Sequence, residues 1–191
     1  MDNAQPSVQS SRERFQFGSE RFAAGDYAGA ETAFRQAIQA CPGDQHAALG
    51  ALYFNLARAI EEQGRAPEAA QALRRYLEHV PDAPDAASTR AHLQALETAL
   101  ARQYYEAGRR AYEGGDFTSA ELNFRQALQA LPAAYGRVEG ALHYDLGLAL
   151  AEQQRNDDAA QALNRYLQLV PDAADAAAVR EHVRNLGGAP G

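Results

Sequence analysis

At 191 residues, with 46% hydrophobic and 23% charged side chains, the chain can bury on the order of 70% of its unfolded surface, which excludes a disordered polymer. The net charge of −7, with every basic residue an arginine, excludes a general binder of phosphate backbones, so no nucleic-acid partner is expected. The single cysteine, Cys41, excludes an intrachain disulfide and a cysteine-based metal site.

Residues 1–10 are polar, carry Pro6 and show no apolar period, as expected of a flexible lead-in. They have neither the positive start nor the apolar core of a signal peptide, and no later stretch approaches the ~18 apolar residues of a membrane span. Cytoplasmic residence without membrane insertion is the default expectation. From Arg12 to Ala24 the spacing of Phe15, Gly18 and Phe22 predicts a helix, which Gly25-Asp26 breaks. Its antiparallel partner runs from Tyr27 to Ala40, with Ala30, Phe34 and Ala37 on one face. A turn at 41–44 leads to a helix over about 45–63, carrying Leu49, Leu52, Leu56 and Ile60, and Pro67 suits the first turn of the next, which ends at His79. Pro81 to Pro84 stop that helix, and Asp82 or Asp85 can cap the following one.

Between Asp85 and Glu113 there is no proline, and Leu93, Leu96, Leu100, Tyr104, Ala107 and Ala111 track one face. This predicts one helix of about 28 residues, roughly 42 Å long, with a kink near Glu97-Thr98 as the alternative. Helices over Phe117–Ala130, 135–153, 157–169 and 172–186 follow, and residues 187–191 form a frayed tail. Residues 11–100 laid on 101–190 without a gap give about 40 identities, which marks a tandem duplication. The expected organisation is a lead-in over 1–10, a first half over 11–100, a second half over 101–186 and the tail.

The small residues Gly18, Ala57, Gly108 and Gly147, the turns Gly25-Asp26-Tyr27 and Gly115-Asp116-Phe117, the pairs Ala30/Ala120, Phe34/Phe124 and Ala37/Ala127, and the closing Pro42, Pro81, Pro132 and Pro171 together resemble tetratricopeptide repeats. Four copies can be drawn, at about 11–44, 50–83, 101–134 and 140–173. The resemblance implies an all-α fold, a right-handed α-α superhelix of helical hairpins in which small residues let paired helices approach and the phenylalanine fills the layer between them. Tyr76 and Tyr166 depart from the family, which prefers a small alanine there. They are expected to end regular stacking, so that residues 85–100 and 175–186 act as linking and capping helices.

The resemblance further implies a concave face lined by first helices that holds a peptide or a partner helix. Mapped onto this chain, that face carries Phe15, Ser19 and Phe22, then Phe54, Asn55 and Arg58, then Arg102, Tyr105, Arg109 and Tyr112, then Tyr144, Asp145 and Leu148. Aromatics beside arginine suit a peptide with apolar and acidic side chains. The plainer reading leaves the rings in the core and the arginines solvated. The family's carboxylate clamp uses Lys and Asn in these helices, whereas this chain has no Lys and only Asn55 falls on a matching position.

Five histidines, His46, His79, His92, His143 and His182, are solitary in sequence, so no metal is expected. No phosphate loop, nucleophile elbow or zinc-protease motif is present, and neither enzymatic activity nor a cofactor is expected. The function expected is a non-catalytic scaffold for a protein or peptide partner. The rival is a self-assembling module, a homodimer through the stripe Leu93, Leu96, Leu100.

Overall fold

A computed structural model describes residues 7–132 and 135–187. Among them are nine helices: α1 (Val8–Ala23), α2 (Tyr27–Ala40), α3 (His46–Glu61), α4 (Ala66–His79), α5 (Ala86–Glu113), α6 (Phe117–Ala130), α7 (Gly136–Glu152), α8 (Asn156–Leu169) and α9 (Ala176–Gly187). The chain divides into two compact units, residues Met1–Leu96 and Glu97–Gly191, with α5 contributing to both.

The sequence reading differs from the structure most at the chain's two terminal helices. Helix α1 starts at Val8, because the Ser7 hydroxyl accepts from the Ser10 amide and caps it, so residues 8–10 belong to a helix and not to a lead-in. Helix α9 starts at Ala176 and not at Asp172, since the amides of Ala173 and Ala176 are taken up by turn bonds to Val170 and Ala173. Gly187 ends α9, and the remaining lead-in and tail, 1–6 and 188–191, lie outside the described residues. Helix α5 is continuous over 86–113, with no break at Glu97-Thr98.

In unit 1, α1 packs against α2, α3 against α4, and α2 against α3. The Gly-Asp turn works as its chemistry requires: Gly25 takes φ 78°, and the Asp26 carboxylate accepts from the Gly29 amide at 2.9 Å, capping α2. Phe34, 1% exposed, lies on Gly18, where an added Cβ would stand 2.7 Å from the ring. The small residue is what permits α1 to reach that ring. Around it close Leu56, Ala57, Ile60, Ala69 and Leu73.

Unit 2 repeats these devices. Gly115 takes φ 79°, Asp116 accepts from Ser119 at 3.0 Å, and Phe124 lies on Gly108 at the same 2.7 Å. Leu142, Leu146, Ala149 and Leu150 complete this core, and α8 and α9 close it through Leu163, Tyr166 and Val179. One turn departs. Gln154 takes the positive φ of 62° that glycine supplies at Gly64 in unit 1, so a side chain sits where L-residues are strained.

Tyr76 and Tyr166 are buried, and each hydroxyl donates to a carboxylate just ahead of the next helix, Tyr76 to Asp85 and Tyr166 to Asp175, the latter at 2.6 Å. Burial and the Asp85 bond push the Tyr76 phenol up to about 12, and the Asp175 bond and burial do the same at Tyr166. The tyrosines therefore anchor the starts of α5 and α9.

A polar clasp, unread in the sequence, joins the turns of each unit. Gln63 donates to the Glu31 carboxylate at 2.9 Å and to the Ala59 carbonyl at 2.8 Å, while Arg65 reaches Glu31 at 2.6 Å and also pairs with Glu68. In unit 2, Gln153 and Arg155 close on Glu121 at 3.0 and 2.7 Å. Glu31 is 8% exposed, and burial alone would raise its pKa; the bonds from Gln63, Arg35 and Arg65 outweigh it and hold the carboxyl below its ordinary 4.5. Stability supplied by a depressed carboxyl is fully present above its unfolded value and is lost as pH falls through the folded one. Denaturant midpoints should hold near neutrality and drop below about pH 4.5. Glu31→Gln should cost about 1–3 kcal/mol at pH 7 and flatten part of that acid limb; an unchanged limb in the variant would remove Glu31 from the explanation.

Candidate functional site

The residues proposed from the sequence for the first-helix faces fall into two groups, one in each unit. In unit 2, Tyr105, Arg109 and Tyr112 recur along α5 at spacings of four and three, and Asp145 and Leu148 sit one turn apart on α7, so five side chains from two helices converge. They line a cavity of about 280 Å³ whose wall is completed by Glu113 and by Phe124 of α6. Phe124 packs on Gly108 of α5 and also borders the cavity, so it serves both core and cavity. The rings of Tyr105 and Phe124 lie 6.2 Å apart, and Tyr112 meets Phe117 edge-on at 5.3 Å.

The charges in this cavity are not equivalent. Arg109 donates to Glu113 on its own helix at 2.7 Å, and this bond and charge raise its already high pKa. Asp145 is half-buried; loss of solvent raises its carboxyl above the ordinary 3.8, against the opposing effects of a Tyr105 hydrogen bond and the Arg109 charge. Burial, then the Asp145 charge, push the Tyr105 phenol up, and burial, then the Glu152 charge, push up that of Tyr112. Both phenols are neutral at physiological pH.

Two residues proposed for this face do not reach the cavity. Arg102 is highly exposed and pairs with Glu106 at 2.8 Å, and Tyr144 packs on Tyr166 with ring centres 5.2 Å apart. Glu113 and Phe124 join the site without being among the residues expected from the sequence. The four-residue step from Arg109 to Glu113 signals the ion pair, but Phe124 reads only as core because its place in the cavity wall depends on how α5, α6 and α7 pack.

In unit 1 the equivalent residues each have a partner within the unit. Ser19 donates to the Phe15 carbonyl at 2.9 Å and Asn55 to the Ala51 carbonyl at 2.8 Å, so both polar tips bond their own helices. Phe15 lies 5.8 Å from Phe34, and Phe54 lies 5.4 Å from Tyr76. The Arg58 guanidinium covers the Phe22 ring at 4.6 Å. A separate apolar recess of about 220 Å³ lies between α1 and α3, lined by Val8, Phe15, Cys41 and Leu52 among others.

The histidine reading needs one correction. His46 and His79 are not isolated: their Nδ1 atoms lie 3.2 Å apart, with Tyr53 stacked on His79, and burial and then the His46 charge lower the pKa of His79. Among the described residues no group of three or more His, Cys, Asp or Glu side chains is arranged to hold a metal ion. The leucine stripe is also relocated. Leu93 and Leu100 are buried within the single chain and Leu96 is half-buried, so the stripe offers no open apolar face.

Two stretches, residues 21–93 and 105–174, match models of the tetratricopeptide repeat, one in each unit. The chain is a tetratricopeptide repeat protein. Its small-residue contacts at Gly18 and Gly108 and its Gly-Asp turns are the packing devices of that family, which serves generally as a protein–protein interaction scaffold. No curated protein sequence matches the chain. Among solved structures, the crystal structure of MamA protein is similar over 95% of this chain and 85% of its own, at 18% identity and a TM-score of 0.41. A TPR repeats protein from Bacteroides fragilis matches over 92% of this chain and 98% of its own, at 13% identity and a TM-score of 0.42. BtubC from P. vanneervenii matches over 94% and 81%, at 16% identity and a TM-score of 0.43. Among the described residues no helix of this tetratricopeptide protein is long and apolar enough to cross a membrane.

Proposed function

We propose that the protein is a non-catalytic scaffold that holds a peptide segment or helix of a partner protein, and that the cavity between α5 and α7 is where it does so. The observation that carries this reading is the convergence of Tyr105, Tyr112, Phe124, Leu148 and Asp145 on one recess of about 280 Å³. That volume lies just below the roughly 300–1,000 Å³ of ligand pockets. It suits one or two side chains of a longer segment better than a cofactor. Aromatic walls supply burial at low entropic cost, and the charged residues beside them supply orientation.

The test is selection of displayed peptides on the intact protein, followed by titration of the selected peptides against two variants. Tyr105→Ala removes one wall and should weaken binding at least tenfold, within the range of interface hot spots. Arg102→Ala, outside the cavity, should change affinity less than twofold. Peptides that bind Tyr105→Ala as well as the parent would place the binding surface elsewhere.

A further inference from the structure

The two units share a framework, and they differ where the candidate site lies. Residues ninety positions apart are identical at Gly18 and Gly108, Phe34 and Phe124, Glu31 and Glu121, Gln63 and Gln153, and Tyr76 and Tyr166. Around the cavity the pairs change character: Ser19 becomes Arg109, Ala23 becomes Glu113, Asn55 becomes Asp145 and Arg58 becomes Leu148. The last two carry the argument.

In unit 1 the Arg58 guanidinium lies over the Phe22 ring at 4.6 Å, and the neighbouring position 55 is a neutral asparagine bonded to its own helix. The chain therefore supplies its own cation to that aromatic face. In unit 2 the ring at the matching position is Tyr112, the arginine is replaced by Leu148, and a half-buried carboxylate, Asp145, stands beside it. Arg109 pairs with Glu113 at 2.7 Å and its charge also acts on Asp145, which has a hydrogen bond from Tyr105, so the cavity's one positive and two negative groups leave a net charge of one negative. A cation entering this recess meets aromatic rings and a half-buried carboxylate, where both attractions are stronger than in open solvent. A carboxylate entering it meets the excess negative charge of Asp145 and Glu113 over Arg109.

We propose that the unit 2 cavity selects a basic side chain, an arginine or lysine of the partner segment, with its aliphatic stem between Tyr105 and Tyr112 and its charged end on Asp145. This rests on the groove reading above and reverses the acidic preference that Arg102 and Arg109 imply in the sequence. The net charge of −7 favours encounter with such a segment at low salt.

Three heptapeptide pools separate the possibilities, each random except for the central residue: arginine, its neutral analogue citrulline, or glutamate. Binding to the full chain is read by fluorescence anisotropy, and the location by amide shifts of ¹⁵N-labelled protein. The arginine pool should bind at least tenfold more tightly than the citrulline pool, shifting Tyr105, Tyr112 and Asp145. Asp145→Asn should reduce that ratio to near one, and Asp145→Glu, which keeps the charge, should restore most of it. Spectra of both variants report whether the fold is intact. If the citrulline or glutamate pool shifts the same amides as strongly as the arginine pool, or if Asp145→Asn leaves the ratio unchanged, cation selection is wrong while the groove reading stands. If no pool shifts these amides, both fail.

Discussion

Phe124→Ala should lower the stability of unit 2 by about 3–5 kcal/mol, the cost of removing a ring from a site that cannot collapse around the space left. The ring is 1% exposed and is held between Gly108 on α5 and a core of Leu142, Leu146 and Leu150. These residues pack the ring from α5 on one side and α7 on the other, so relaxation is small. Hydrogen exchange resolved by residue is the suitable measurement, because the loss should concentrate in α6 and α7 and spare α1 to α3. The ring also floors the candidate cavity, so peptide affinity should fall with stability. Phe17→Ala is the control: that ring is 49% exposed, and its loss should shift stability by no more than about 0.5 kcal/mol. A cost below about 1 kcal/mol for Phe124→Ala would mean that the helices close on the gap.

Gly147→Val tests the opposite error, too much volume. A Cβ there would stand 2.7 Å from Cγ and 2.8 Å from Cδ2 of Leu163, and 3.3 Å from the Ala159 carbonyl oxygen. Leu163 is fully buried and the carbonyl belongs to α8, so neither can move aside cheaply. Replacing a mid-helix glycine recovers up to about 1 kcal/mol of helix propensity with alanine and less with a β-branched residue. The overlap should outweigh this, for a net loss of about 3 kcal/mol in chemical denaturation. Leu163→Ala in the same chain should return part of it, with a coupling of 0.5–3 kcal/mol in the double-mutant cycle. Additive costs would show that the valine is accommodated by a shift of α7 as a whole. Gly136→Ala, at the start of the same helix with nothing within 4 Å, should be close to neutral.

Both predictions concern positions whose identity is legible in the chain alone. Gly18, Gly108 and Gly147 recur at one place in the first helices of their hairpins, and Phe34 and Phe124 recur opposite Gly18 and Gly108, because a helical hairpin packs closely only when one side is small and the other fills the gap. Helix periods, the Gly-Asp turns and the ends at proline are local properties of short stretches, which is why the elements and the all-α class follow from reading the residues. Even the start of α1 was marked, by Ser7 ahead of Val8, although the surrounding polar composition obscured it.

What needed the tertiary structure was every decision about partners distant in sequence. Arg102 and Arg109 look alike on the page, yet one is solvated and the other borders a cavity. Asn55 and Asp145 occupy matching places, and only packing reveals that the first bonds its own helix while the second is drawn out of water beside Tyr105. His46 and His79 meet across 33 residues, as do Glu31 and Gln63 across 32. Hydrophobic periodicity records which face of a helix is buried, a property of each segment by itself. Whether a polar side chain on that face is free for a ligand depends on what the neighbouring helix brings within about 3 Å, and that is a property of the assembled fold.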